Sequence, residues 1–115
     1  MLAKQFRFHG YGSLKFLYNK GKVVRARFVN LKYISNPRRE DSRLAVEEKK
    51  KVSKKAPVRN RIRRRLYEAV RLHWPMLKPG QDMIITVFDE NIANISSTEL
   101  NKIVVELLTK ADLYK

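Results

Sequence analysis

Between residues 49 and 65 the chain carries five lysines and five arginines and no acidic residue, so ten of seventeen positions are cationic. A segment so charged can be buried only along one narrow stripe, because an unpaired charge is costly to take out of water. The sequence supplies that stripe. Pro57 suits the first turn of a helix, and Val58, Ile62, Leu66, Ala69 and Val70 follow at the spacing of one apolar face, which predicts a helix over 57–73. At about 100° per residue, Arg59 and Arg63 flank one edge of the stripe, Arg61 and Arg65 flank the other, and Asn60, Arg64, Tyr67 and Arg71 lie opposite or nearly so. Trp74, Pro75, Pro79 and Gly80 then end the helix and turn the chain.

Like charges at adjacent helix positions repel, and charge carried for solubility is normally interspersed with the opposite sign. Over the whole chain 26 Lys and Arg stand against 11 Asp and Glu, a formal charge of +15 that calls for a polyanionic partner. No apolar run approaches the roughly 20 residues of a membrane span, and no signal-peptide pattern opens the chain, so a cytoplasmic protein with no membrane partner is expected. The absence of cysteine excludes disulfides and thiolate zinc sites, while His9 and His73 lack metal-ligand spacing. A metal-dependent protein nuclease needs converging carboxylates. Asp82 and Asp89 fall at opposite ends of one expected strand, where they suit turn capping. No catalytic residue, metal site or cofactor fingerprint is therefore expected in the protein itself.

The rest of the chain reads as one domain over 1–115. Residues 1–12 mix basic and aromatic side chains with glycine and suit an extended arm. Ser13 opens a short helix carrying Leu14, Leu17 and Tyr18, and Gly21 closes it. Val23 to Ile34 reads as one strand bent near its start, with Val29, Leu31 and Tyr33 on one face and Phe28, Asn30 and Lys32 on the other. A break at Ser35-Asn36-Pro37 leads to a second strand around Leu44, Ala45 and Val46, hairpin-paired with the first. Met83 to Phe88, apolar at five of six positions, suits a central strand covered on both faces. Ser96 and Glu99 form a capping box ahead of Leu100, Ile103, Val104, Leu107, Leu108 and Ala111. The order implies an α/β (α+β) fold: one layer of about three helices on a small mixed sheet, with the basic helix as a crossover between two strands.

Leu14, Tyr18, Leu31 and Tyr33 could line one shallow groove, and rings flanked by cations suit unpaired bases of a single strand. On spacing alone a place in the core is favoured over the groove, and the pattern leaves both open. Because the basic helix follows a strand rather than a partner helix, RNA is favoured over DNA.

The stretch Lys55-Ala56-Pro57-Val58-Arg59-Asn60-Arg61-Ile62-Arg63-Arg64-Arg65-Leu66 closely resembles the signature of the bacterial ribonuclease P protein family. The short helix ending at Gly21, the strand with Phe28 and Val29, the last amphipathic helix and the Leu113-Tyr114-Lys115 ending are similar in order and spacing. This resemblance implies an α/β sandwich whose βαβ crossover is left-handed, against the general rule. It also implies that Arg59, Asn60, Arg61, Arg63 and Arg64 contact a catalytic RNA, with Arg65, Lys50, Lys51, Lys54 and Lys55 assisting. Leu14, Tyr18, Leu31 and Tyr33 would take the 5′ leader of precursor tRNA, with ring stacking either reduced or moved to Tyr33, since the family commonly has aromatics at the positions of Leu14 and Leu31. Magnesium ions would sit at the RNA active site. Glu47 and Glu48, which depart from the family's small apolar strand end, are expected to pair with neighbouring lysines. The alternative function is a ribosomal or other structural RNA-binding protein with no part in cleavage.

Overall fold

The computed structural model describes residues 6–7, 11–49 and 52–115, of which 11–15 by their backbone alone. Among the described residues the chain runs α1 (Tyr11–Lys20), β1 (Lys22–Ala26), β2 (Val29–Ser35), β3 (Arg43–Glu48), α2 (Ala56–Arg71), β4 (Gln81–Val87) and α3 (Ser97–Lys110). The four strands form one mixed sheet in the order β1-β2-β4-β3, antiparallel except where β3 lies parallel to β4. The basic helix is the crossover joining that parallel pair, and Met83, Ile84, Ile85 and Val87 make β4 the buried central strand, both as the sequence predicts.

Two strand expectations are corrected. The segment over Val23 to Ile34 is not one bent strand but a tight hairpin, β1 and β2, turning at Arg27 and Phe28. Phe28 takes a left-handed φ of 71°, a conformation bulky residues rarely adopt, so the glycine or asparagine that would announce such a turn is missing. Nor is β3 hairpin-paired with β2, because both flank β4. The most apolar strand takes the interior position, where both its edges and both its faces are covered.

The helices do not form a single layer. Side chains alternate along each strand, so Leu44, Met83 and Ile85 face one way and Ala45 and Ile84 the other. The first set joins Ile62, Leu66 and Val70 of α2 and Leu100, Val104 and Leu107 of α3 in the main core. The second set packs with Leu17, Tyr18 and Ile34 in a small cluster under α1. The first helix therefore lies on the opposite face of the sheet from the other two. It begins at Tyr11, two residues before the expected Ser13. Of the expected arm, Phe6 packs its ring 5.5 Å from that of Trp74 and Arg7 bridges to Leu44 on the open edge of β3. Residues 1–5 and 8–10, including His9, lie outside the described residues, as do Lys50 and Lys51.

The capping box is formed on one side: Ser96 Oγ accepts from the Glu99 amide at 3.1 Å, starting α3. After α2, His73 is held between Asn101 Oδ1 at 2.8 Å and the Tyr114 hydroxyl at 3.2 Å, which gives this histidine a structural place. Asp89 caps the turn at Glu90–Ala93 through the Asn91 amide at 2.8 Å, as expected. Asp82 does not cap a turn; it is buried in a bidentate pair with Arg43 at 2.8 and 2.9 Å.

Just before Asp82, Gly80 holds φ at +70°, and its carbonyl accepts from the Asn36 amide at 2.7 Å. A β-carbon here would stand 2.7 Å from the Arg39 carbonyl oxygen, so both backbone and space demand glycine. Gly80→Ala is expected to lower stability by about 1–3 kcal/mol. In urea unfolding this would appear as a lower midpoint at unchanged slope.

Candidate nucleic-acid interface

Helix α2 buries Ile62, Leu66, Tyr67, Ala69 and Val70 and leaves its charges outside. Tyr67 departs from the expectation that it lies opposite the stripe. It is buried near Val46 of β3, and that burial raises its phenol pKa, offset in part by a backbone hydrogen bond at Val46. The buried face is therefore wider than one stripe, and the cations are pressed into a narrower outer band.

Within that band the cations divide by what they touch. Arg63 donates to Glu48 Oε1 at 2.8 Å and also bonds Asn60 Oδ1 one turn back. The Glu48 side chain is only 5% exposed, so this pair fastens the first half of α2 to the end of β3. The expected pairing of the two glutamates with lysines is corrected for Glu48: its partner is an arginine on the crossover helix. Arg65 reaches the other way, donating to the carbonyls of Ile92 at 2.6 Å and Ile95 at 2.5 Å. Its pKa is lowered by burial and by the neighbouring Arg61 charge.

Arg59, Arg61 and Arg64 have no ion pair among the described residues, and Arg61 and Arg64 are exposed. Lys54 and Lys55 are exposed just ahead of the helix. Arg64 stands between two depressions. One, of about 460 Å³, runs toward Ser97 and Leu100 of α3, with Arg61 and Arg65 on its wall. The other, of about 570 Å³, lies against Pro57, Asn60 and Arg63. Unneutralised guanidinium groups spread around the outer side of one rigid helix, with hollows on either side of Arg64, can grip several phosphates in fixed positions.

A sequence model of the family described as Ribonuclease P matches residues 2–112. The chain belongs to the ribonuclease P protein family. It is 31% identical over 91 residues to the ribonuclease P protein component of Synechocystis sp., covering 79% of this chain and 73% of that one. It is 30% identical over 112 residues to that of Symbiobacterium thermophilum, covering 97% and 96%. The fold is similar to the Staphylococcus aureus RNase P protein, with TM-score 0.83 at 20% identity over 96% of this chain and 98% of that one. The Thermotoga maritima RNase P protein gives TM-score 0.75 at 20% identity over 84% and 89%.

In this family member the four residues expected in the leader groove do not come together. Tyr18 lies on the α1 side of the sheet, where Lys32 Nζ sits 4.9 Å above its ring and donates to its carbonyl at 3.1 Å. Leu31, 1% exposed, points into the opposite core between Val24 and Ile85. Tyr33 shares the parity of Leu31 and lines a separate cleft with Lys20, Lys22, Lys78 and Lys110. The backbone of Leu14 is in α1, and its side chain lies outside what is described. A shift of one residue along a strand exchanges the two faces, so β2 offers Asn30 and Lys32 to the α1 side. The signal in the sequence was polarity: alternation separates Asn30 and Lys32 from the apolar set, and it is the polar set that belongs with α1.

Among the described residues no group of three or more His, Asp or Glu side chains converges, and no helix is long and apolar enough to cross a membrane. The division of the arginines predicts two kinds of variant. Arg65→Ala removes two charge-assisted bonds and is expected to lower stability by about 2 kcal/mol. Arg61→Ala and Arg64→Ala are expected to shift stability by no more than about 0.5 kcal/mol. Both would still weaken RNA binding. Thermal melts alongside filter binding to folded RNA separate the two classes.

Proposed function

We propose that this chain is the protein subunit of ribonuclease P, which binds the catalytic RNA through α2 and assists removal of the 5′ leader from precursor tRNA. The observation that carries the reading is the outer side of α2: among the described residues Arg59, Arg61 and Arg64 have no carboxylate partner, on a helix whose sequence matches the family signature. Asn60, Lys54 and Lys55 extend that face, while Arg63 and Arg65 chiefly hold the helix in place. Lys50 and Lys51 complete the basic lead in sequence.

The leader lies along the α1 side of the sheet, on Tyr18 and Lys32 with Asn30 beside them, rather than in a groove through Leu31 and Tyr33. The RNA subunit carries the chemistry with its magnesium ions. The protein's own residues neutralise phosphates, so that less divalent ion is needed to bring the two RNAs together. Precursor tRNA and the RNA subunit are thus its partners, DNA is not, and the cytoplasm is where it works. The second reading, a purely structural RNA-binding protein, rests on the same basic helix and predicts binding without any gain in cleavage.

The test is leader release by a bacterial ribonuclease P RNA at low magnesium. The wild-type protein is expected to stimulate cleavage, and Arg59→Ala/Arg61→Ala to lose most of that stimulation. The salt dependence of RNA binding should become shallower in the double variant by about 0.7–0.9 in log-log slope for each phosphate that is no longer neutralised. Salt-sensitive binding without stimulation, by an RNA that its usual protein activates, would favour the structural reading.

A further inference from the structure

At the end of the sheet where β4 stops, Phe88 is 51% exposed. Singly exposed apolar side chains are ordinary on protein surfaces. Phe88 differs because of what stands around it. It lines a pocket of about 410 Å³ with Phe28, Asn30 and Arg25. Its amide donates to the Phe28 carbonyl at 2.8 Å, which ties the pocket floor to the hairpin turn. Phe28 is the residue held at a φ of 71°, a strained placement that keeps its ring at the pocket, and the Arg27 guanidinium lies 4.6 Å from that ring's centre. Arg25 and Asn30 are register partners across β1 and β2, which brings a cation and an amide to the same wall. Asn30 Oδ1 is buried there with no hydrogen-bond partner.

The pocket also joins the two surfaces assigned to RNA. Asn30 shares the parity of Lys32, so the wall it contributes belongs to the α1 side of the sheet. On the other flank, β3 ends beside β4 and the Lys49 amide donates to the Val87 carbonyl, one residue before Phe88. The basic lead into α2 therefore leaves the sheet next to this ring. Two aromatic rings, with Arg25 in the lining and Arg27 on the Phe28 ring, are complementary to one unpaired nucleobase with its phosphate. A ring face stacks on a base of any identity, and the cations meet the backbone.

We propose that the Phe88–Phe28 pocket is a base-stacking site that receives one unpaired nucleotide of the precursor's 5′ leader, with Phe88 as the platform. The proposal rests on the leader reading given above and extends it to a defined base. The strand would pass from the cations at the start of α2, over Phe88, and onto the face bearing Asn30 and Lys32.

The experiment measures affinity of the reconstituted holoenzyme for precursor tRNA with a full leader and for the same tRNA without one. Phe88→Ala is expected to weaken binding of the full-leader precursor by about 5- to 100-fold, the usual worth of one stacked base. It should leave the leaderless tRNA unaffected, while Phe88→Trp keeps the wild-type affinity. Replacing leader nucleotides one at a time by abasic residues should find one position whose effect matches that of Phe88→Ala, and the two effects should not add. A wild-type holoenzyme that prefers the leader, with Phe88→Ala showing the same preference, would overturn the stacking site and leave the leader face standing. Equal weakening on leaderless tRNA would overturn the leader as occupant. A wild-type holoenzyme that binds both substrates alike would remove the leader reading itself, and this site with it.

Discussion

Strands β3 and β4 lie side by side and run the same way, in register from Arg43 opposite Asp82 to Glu48 opposite Val87. Parallel neighbours cannot be joined by a tight turn, so the chain leaving Glu48 must travel back along the sheet before it can enter β4. Helix α2 is that return. A crossover helix is pinned on one side, by burial of its apolar face on the sheet, and is free on the other. Here the pinned side is Ile62, Leu66, Tyr67 and Val70, so whatever the sequence places elsewhere on the helix must face outward in fixed positions. A charge run that would repel itself into disorder as a free segment is thereby displayed on a rigid rod.

The electrostatics follow the same division. Two of the arginines on α2 help to hold it: Arg63 reaches across to the nearly buried carboxylate of Glu48, and Arg65 satisfies two carbonyls in the turn after Asp89. A guanidinium suits this role, since its fork meets two acceptors at once. These anchors use cations that would otherwise add to the helix's self-repulsion, and they fix the direction in which Arg61 and Arg64 project. Glu68 and Arg71 neutralise each other near the helix end; the Arg71 hydrogen bond lowers the Glu68 carboxyl to about 2. The uncompensated charge is concentrated toward the start of α2, on the side where β3 hands over to it.

Where the sequence spoke through periodicity or capping, it was legible. Ser96 and Glu99 marked the start of α3, the run ending at Val70 marked the buried side of α2, and the apolar content of β4 marked the sheet centre. The hairpin was hidden because its turn uses Phe28 in a backbone conformation that favours glycine, a choice dictated by surroundings rather than by local preference. The pairing of β3 was hidden because a strand's neighbour is decided by non-local burial, and Leu44 and Ala45 fit beside β4 as readily as beside β2 on pattern alone. The groove was hidden for a related reason. Apolar residues on Leu31's face suit a covering helix, but α1 covers the other face, and that depends on which side of the sheet the chain passes before β1.

That passage also explains why the two faces of one sheet differ in chemistry. Helices α2 and α3 together cover the Leu31 face and make it a continuous core. Among the described residues a single short helix covers the other, and the buried cluster beneath it is Leu17, Ala45 and Ile84. On that face β1 and β2 carry Arg25, Asn30 and Lys32, with Lys32 reaching the Tyr18 carbonyl of α1 and Val23 exposed beside it. The polarity that solubility demands of an uncovered sheet face is the same polarity a single RNA strand requires of a surface it lies on. One helix too few on this side of the fold thus leaves a wall of backbone-stiffened cations and amides, continuous at the end of β4 with the cations that lead into α2.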